Sequence, residues 1–154
     1  MQPTVQTLDI RNDLAEVERV NTALRDLWVR CALPEDFEAP VAICLEEILS
    51  NVIRHGCVPD GRLPGEACDI QVRWKLLDGA RGGIEVEVSD NGKEFNPLSL
   101  PAPDVTAPLE ERKAGGLGVF MVRNMMDEVH YDRSGGRNRF VFRKRWGKPA
   151  EGSG

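Results

Sequence analysis

A carboxylate and a carboxamide lie four residues apart in a segment that reads EEILSNVIRH over residues 46–55. If this segment is helical, Glu47 and Asn51 project together from one face, and His55 follows one turn later. A carboxamide oxygen suits Mg²⁺, which prefers oxygen ligands and keeps waters and substrate phosphates, and a neighbouring carboxylate can accept a proton. The spacing alone is equally compatible with a solvated helix edge that carries an ordinary side-chain pair.

A second polar group follows a strongly alternating segment, where residues 90–95 read DNGKEF. The carboxylate of Asp90 could accept a hydrogen bond from an exocyclic amine such as that of adenine. Gly92 has no Cβ, so a flat ring could lie close to the backbone there. The alternative is that Asn91 and Gly92 form a turn that merely ends a strand.

A glycine-rich turn, GGLG at residues 115–118, directly precedes an apolar helical pattern. Exposed N–H groups and the helix dipole at such a position favour an anion, and glycines allow a phosphate to approach closely. A glycine hinge without a ligand is the alternative. Neither G-x-x-x-x-G-K-[ST] nor G-x-G-x-x-G occurs in the chain, which disfavours the common nucleotide-binding folds.

Hydrophobic periodicity predicts the elements that must position these groups. Loose alternation predicts an edge strand over 5–10, and regular alternation predicts a hairpin from strands at 68–77 and 84–89. A second strand pair is predicted at 129–133 and 138–146. Spacings of three and four predict three helices. They run from a capping-box pattern at Asp13 and Glu16 to Cys31, from between Asp36 and Pro40 to Gly56, and over about 117–127. The proline-rich segment 96–114 is predicted to be a long loop.

Composition limits the class of protein. The 154 residues favour a single domain over 1–146 with a flexible tail over 147–154. A formal charge of −5 argues against a nucleic-acid binder. The chain shows no export signal and no apolar run that could span a membrane, so we expect a cytoplasmic protein without a membrane partner. Four cysteines without CxxC spacing are expected to be reduced thiols.

In this order, the three motifs, together with MDEV at residues 126–129, resemble the GHKL ATPase/kinase superfamily, which has the Bergerat fold. Within it they resemble the bacterial anti-sigma-factor serine/threonine kinases, and the likeness extends from the first strand to Trp146. It implies a two-layer α/β sandwich with helices on one face of a mixed, mostly antiparallel sheet.

The resemblance also assigns roles to individual residues. Glu47 would be the general base, Asn51 the Mg²⁺ ligand, and Asp90 the adenine-binding residue with Gly92 packed beside the ring. Residues 96–114 would form a lid over the nucleotide. The ATP-binding set implied in this way is Asn51, His55, Asp90, Gly92, Phe95, Gly115, Gly116, Leu117 and Gly118.

Two carboxylates depart from the family pattern. The sequence also leaves open which basic residue contacts the phosphates. Glu94 stands where many members have a second glycine, and Glu46 adds a negative charge beside the expected base. A basic residue could offset these charges at the phosphates. The candidates are Arg54, Arg112, Lys113 and Arg123.

The function implied is a kinase that binds MgATP, phosphorylates a STAS-domain anti-sigma antagonist and sequesters a sigma factor or a similar regulator, possibly as a homodimer. One alternative is a non-catalytic module whose protein binding is gated by nucleotide, although a module that only binds would not need the base at Glu47. The ATP-binding half of a histidine kinase is disfavoured because the two histidines, His55 and His130, lie in the expected site and in a strand.

Overall fold

A five-stranded antiparallel sheet forms the frame of the protein in a computed structural model that describes residues 5–56, 68–78, 81–96 and 122–147. The strands pair in the order β1-β2-β3-β5-β4, and all four pairings are antiparallel. The elements are β1 (Val5–Ile10), α1 (Glu16–Arg30), α2 (Glu38–Asn51), β2 (Ile70–Leu77), β3 (Gly83–Asp90), β4 (Glu128–Ser134) and β5 (Arg137–Arg145).

The sheet has one apolar and one charged face, as strict alternation requires. Trp74, Val86 and Phe142 stand opposite one another on β2, β3 and β5 and are at most 1% exposed. They share a core with the buried stripes of α1 and α2, so both helices cover the same face. The predicted two-layer α/β sandwich is confirmed. The sheet was expected to be mixed and mostly antiparallel, and among the described strands every pairing is antiparallel. Two of these pairings, β2 with β3 and β4 with β5, join strands that are consecutive in the chain.

The start of α1 differs from the capping box that the sequence predicts. The side chain of Asp13 accepts a hydrogen bond from the backbone N–H of Ala15 at 2.9 Å. The carboxylate of Glu16 does not return to the backbone of Asp13, because Arg11 and Arg19 bind it at 3.0 and 2.6 Å. The carboxylate of Glu16 binds the two guanidinium groups because a charged guanidinium is a stronger hydrogen-bond donor than a neutral backbone N–H.

The second helix changes its pitch near the end. A 3-10 turn at Glu35–Phe37 leads into α2, with Pro40 in the first turn, and a π-helix at Val52–Gly56 follows directly after Asn51. The predicted start and the predicted end at Gly56 are both confirmed. The π-helix is closed by i→i+5 hydrogen bonds, so His55 does not continue the i,i+4 row of Glu47 and Asn51. Such turns are frequent at functional sites.

The second hairpin agrees with its predicted sequence signal. Gly135 and Gly136 connect β4 and β5 with φ values of 60° and 78°, a two-residue turn that requires positive φ at both positions. Of the predicted helix over 117–127, residues 122–125 are described and are helical. After β5, Trp146 packs against Trp28 and Phe37, with ring centroids 5.5 and 5.1 Å apart.

Several predictions fall partly or wholly outside the described residues. These are the loop after Asn96, the glycine turn at 115–118 and the tail from residue 148. The single domain over 1–146 stays a prediction. Cys31 and Cys44 are free thiols as expected, whereas the expectation for Cys68 is wrong, because it is disulfide-bonded. A disulfide depends on two sulfurs meeting in space, which spacing in the sequence does not reveal. Within the described ranges, no helix is both long and apolar enough to cross a membrane.

The pairing of β3 with β5 depends on the absence of a side chain at Gly83. Its φ is +147°, and a Cβ built there would overlap the carbonyl oxygen of Lys144 on the paired strand. We expect Gly83→Ala to lower the free energy of unfolding by about 2 kcal/mol or more, the cost of forcing apart packed backbone. Chemical denaturation measures the change. Gly147→Ala is the control because nothing lies within 4 Å of the Cβ added there. Equal stability of the two variants would contradict the prediction.

Candidate nucleotide site

Asp90 ends the central strand β3 as a carboxylate that is only 2% exposed. A buried carboxylate is costly unless it is hydrogen-bonded. Its Oδ1 atom accepts hydrogen bonds from the N–H of Gly92 at 2.9 Å and from Nδ2 of Asn138 at 3.0 Å. Across the described part of the chain, no hydrogen bond is found to Oδ2. One oxygen is therefore held by the protein, and the other is available to a ligand.

The environment of Asp90 opposes its ionisation overall. Burial raises the pKa of this carboxyl above its ordinary value, and the hydrogen bonds from Asn138 and Gly92 act in the other direction. The positive charges of Arg137 and Arg133 also lower the pKa, but burial is the larger effect. A carboxylate in this state gains more from a hydrogen-bond donor on a ligand than a solvated one would.

Asn138 connects Asp90 to the loop that follows it. The Nδ2 atom donates to Lys93 O at 2.7 Å as well as to Asp90, and the Oδ1 atom accepts the N–H of Phe95 at 3.2 Å. Tyr131 and Arg133 on β4 donate to the same Oδ1 at 2.6 and 3.0 Å. The segment 92–95 is thereby bound to the second hairpin.

The sequence analysis missed these three residues, Asn138, Tyr131 and Arg133. One signal was present: Asn138 occupies an inward position of β5, two residues before Phe140 and four before Phe142, where an apolar residue is expected. Asn138 is only 4% exposed. A buried amide at a core position of a strand indicates a specific hydrogen-bonding role.

The end of the second helix meets the loop after β3 through two rings. The ring centroids of His55 and Phe95 are 5.8 Å apart with an interplanar angle of 42°. His55 is exposed and Phe95 is half-buried. The structure therefore brings together four predicted site residues, since Asp90 and Gly92 begin the same loop that carries Phe95.

Glu47 and Asn51 do not form the ordinary side-chain pair that their spacing allows. Asn51 is 3% exposed, and its Nδ2 atom is buried without a hydrogen-bond partner. Glu47 is half-buried and, among the described residues, has neither a hydrogen bond nor an ion pair. Its charge is close enough to add to the burial that raises the pKa of Cys44 to about 11. Unpartnered polar groups at a buried helix end are costly and rare unless a ligand completes them.

The residues present fit a magnesium ion bound largely through a nucleotide. Rotation of the Asn51 carboxamide by half a turn would put its carbonyl oxygen at the unpartnered position. In the portions of the chain that are described, no group of three His, Cys, Asp or Glu side chains could hold a metal. A single protein oxygen is chemically sufficient because Mg²⁺ retains waters and phosphate oxygens.

The remaining candidates divide into three groups. Gly115, Gly116, Leu117 and Gly118, with Arg112 and Lys113, lie outside the described residues. Arg54 and Arg123 are exposed. Glu46, the additional carboxylate, is exposed and lines a groove of about 560 Å³ with α1 residues such as Glu18 and Arg25, so it belongs to a different surface from Asp90.

Residues 10–144 match the family described as "Histidine kinase-like ATPase domain". The chain belongs to this family. This confirms the predicted GHKL superfamily and, with the relatives named below, its anti-sigma-factor kinase branch.

Named relatives agree with the family. The serine/threonine-protein kinase BtrW of Bordetella bronchiseptica is 26% identical over 78% of this chain and 75% of its own length. The serine-protein kinase RsbW of Listeria monocytogenes is 31% identical over 58% of this chain and 56% of its own length. Both relatives are named as protein kinases, in agreement with the enzyme class predicted from the sequence.

A solved structure agrees with the fold. The crystal structure of the RsbU and RsbW domains of a Mycobacterium tuberculosis protein matches 94% of this chain and 34% of that chain, with a TM-score of 0.59 and 15% identity. At this identity the match supports the fold alone.

The raised pKa of Asp90 predicts a variant that gains stability and loses binding. Because the folded state holds this proton more tightly than the unfolded state, the contribution of Asp90 to the free energy of unfolding falls as pH rises through the folded pKa. At pH 7 the buried charge is therefore a net cost, which the neutral isostere in Asp90→Asn removes. We expect this variant to melt without nucleotide at the wild-type temperature or above it.

The same variant should bind ATP roughly 10- to 100-fold more weakly, because a hydrogen bond to a charged group is replaced by a mismatched amide. Calorimetric melting and titration measure the two effects. Asp69→Asn is the control, since Asp69 is exposed and binds Arg137 at 2.9 Å. A melting temperature several degrees below that of the wild type would show that the charge of Asp90 stabilises the fold.

Proposed function

We propose that this protein is an ATP-dependent serine/threonine protein kinase of the anti-sigma-factor, partner-switching type. The observation that carries the proposal is the buried amide nitrogen of Asn51, which has no hydrogen-bond partner among the described residues, one helical turn from the carboxylate of Glu47, which has none there either. A structural helix end would satisfy these groups internally. A phosphoryl-transfer site needs them free, one for metal and phosphate and the other for a proton.

The described residues supply three parts of such a site. Asp90 offers Oδ2 to the amino group of adenine, and Gly92 allows the ring to approach the backbone. Asn51 would hold Mg²⁺, which neutralises the charge of the phosphates when bound. Glu47 would accept the proton of a serine or threonine hydroxyl as the hydroxyl oxygen bonds to the γ-phosphorus and the bond from that phosphorus to the β–γ bridging oxygen breaks, releasing ADP. Catalysis in such transfers is chiefly positioning and charge stabilisation, so few groups are required.

The predicted partners rest on the relatives. BtrW and RsbW are named serine or serine/threonine kinases, and we infer that this chain likewise phosphorylates a STAS-domain anti-sigma antagonist and sequesters a sigma factor or a similar regulator. Because the matched region is 56% of the Listeria RsbW, activity of the whole protein is part of this proposal. A cytoplasmic location and a possible homodimer remain predictions from the sequence.

Two alternatives make different use of the same residues. A nucleotide-gated binding module would have no use for Glu47. The carboxylate of Glu47 has no protein partner among the described residues, which favours a role in catalysis over this alternative. A histidine phosphoacceptor in this chain would have to be His55 or His130. The ring of His55 contacts Phe95, and His130 binds Asp132 at 3.2 Å on the outer edge strand β4.

Phosphoryl transfer tests the proposal directly. The purified protein is mixed with γ-labelled MgATP and the STAS-domain proteins of its own genome, and the labelled product is treated with acid. We expect acid-stable label on a STAS protein, because serine and threonine phosphoesters survive acid. Acid-labile label would indicate histidine phosphorylation, and ATP binding without any transfer would favour the binding module.

Glu47→Ala should separate binding from turnover. We expect ATP affinity to stay within about threefold of wild type, while the transfer rate falls roughly 100-fold or more through loss of the general base. Single-turnover transfer and calorimetric titration give the two quantities. Glu46→Ala is the matched control, since it removes the adjacent carboxylate from the groove beside α1 and should leave both unchanged. A parallel loss in both variants would remove the special role of Glu47.

A further inference from the structure

The side chains that lie in a row at one end of the sheet suggest how base recognition is prepared. Asp90, Asn138 and Arg133 are direct cross-strand neighbours on β3, β5 and β4. They are linked in the same order, because Arg133 donates to Oδ1 of Asn138 and Nδ2 of Asn138 donates to Oδ1 of Asp90. The row ends at the carboxylate that is expected to meet the base.

The hydrogen bonds leave Asn138 with one possible orientation. Three donors, from Tyr131, Arg133 and Phe95, converge on its Oδ1 at 2.6, 3.0 and 3.2 Å. Rotation of the carboxamide by half a turn would direct N–H groups at these three donors and its carbonyl oxygen at the Asp90 carboxylate. The rotated state would lose the hydrogen bonds from Arg133 and Phe95 and those to Asp90 and Lys93 O, and only the Tyr131 hydroxyl could change from donor to acceptor. The amide is therefore fixed with its N–H groups toward Asp90.

We propose that Asn138 is a positioning residue for base recognition, which occupies Oδ1 of Asp90 so that Oδ2 is directed at the exocyclic amino group of a purine. This inference rests on the proposed function. Asn138 acts through Asp90 and does not itself touch the ligand. Tyr131 and Arg133 hold the amide, and the donation to Lys93 O holds the loop on which Gly92 and Phe95 lie.

The role predicts a coupling between Asn138 and one group of the ligand. If Asn138 only stabilised the fold, its loss would weaken all nucleotides alike. If it directs Oδ2, its loss should weaken the contact with the amino group specifically, because only the N–H of Gly92 would then hold Oδ1 of Asp90 and the carboxylate could turn more freely. Paired removal of a side chain and of a ligand group measures this coupling.

The experiment compares two ligands, MgATP and the magnesium complex of purine riboside triphosphate, which is ATP without the exocyclic amino group. Dissociation constants are measured by calorimetry for the wild type and for Asn138→Ala. We expect the wild type to prefer ATP by about tenfold or more, as for a hydrogen bond to a charged acceptor. In Asn138→Ala we expect this preference to fall to within about twofold.

Two further variants make the comparison decisive. Arg139→Gln is the control, since Arg139 lies next to Asn138 but on the outer face, where it binds Glu87 and Asp132, and it should keep the full preference. Tyr131→Phe removes one donor to Asn138 without changing charge, and it should reduce the preference in part. If Asn138→Ala fails to fold, the preference of Tyr131→Phe for ATP over purine riboside triphosphate tests the proposal in its place.

The outcomes separate this inference from the proposed function. A wild type that does not bind ATP would overturn the proposed function and the inference together. A wild type that binds both nucleotides equally would overturn base reading by Asp90 and hence positioning by Asn138. A wild type that prefers ATP, with the same preference in Asn138→Ala and Tyr131→Phe, would overturn the positioning role alone. A preference that falls in these variants but not in Arg139→Gln supports it.

Discussion

The burial of one carboxylate at the end of the central strand determines the arrangement around it. Asp90 stands between β2 and β5, with Ile70 and Asn138 as its cross-strand partners, so its carboxylate is almost entirely removed from solvent. A charge in that position requires donors from the protein. The backbone of Gly92 must turn back toward Oδ1, and β5 must present an amide where its pattern would otherwise place an apolar side chain. The path of residues 92–95, and with it the contact between Phe95 and His55, follows from meeting that requirement.

The site retains polar groups that a structure built only for stability would not contain. Asn51 has a buried nitrogen without a partner, and burial raises the pKa of Asp90. Each lowers the free energy of unfolding relative to a fully satisfied interior. Asn51 ends α2 four residues before His55, Asp90 ends β3 five residues before Phe95, and the rings of His55 and Phe95 are in contact. Destabilising features that cluster in this way are typical of binding and catalytic sites, because the ligand supplies the missing interactions.

The sequence predicted those parts of the structure that depend on local pattern. Alternation located β1 at Val5–Ile10 without error and the other strands to within one or two residues, because a strand with one buried face must alternate. The predictions failed where side chains compete for a hydrogen-bond partner, whether they are near or far in the sequence. Glu16 is bound by Arg11 and Arg19 instead of the helix backbone, and Asn138 reaches Asp90 across 48 positions of sequence. Glu47, Asn51 and Asp90 were predicted as site residues because they belong to motifs, whereas Asn138, which binds Asp90, belongs to none.

The two faces of the sheet differ in what substitution can change. On the outer face, Glu87 binds Arg139 and Glu85 binds Arg143, in pairs whose arginines are more than one-third exposed. Surface ion pairs of this kind contribute about 0–1 kcal/mol each, so the charges can be rearranged at little cost to stability. On the inner face, exchange of Asn138 would leave a buried carboxylate short of a donor. The charges of the outer face can therefore be exchanged at less cost to the free energy of unfolding than the buried polar row of Asp90 and Asn138.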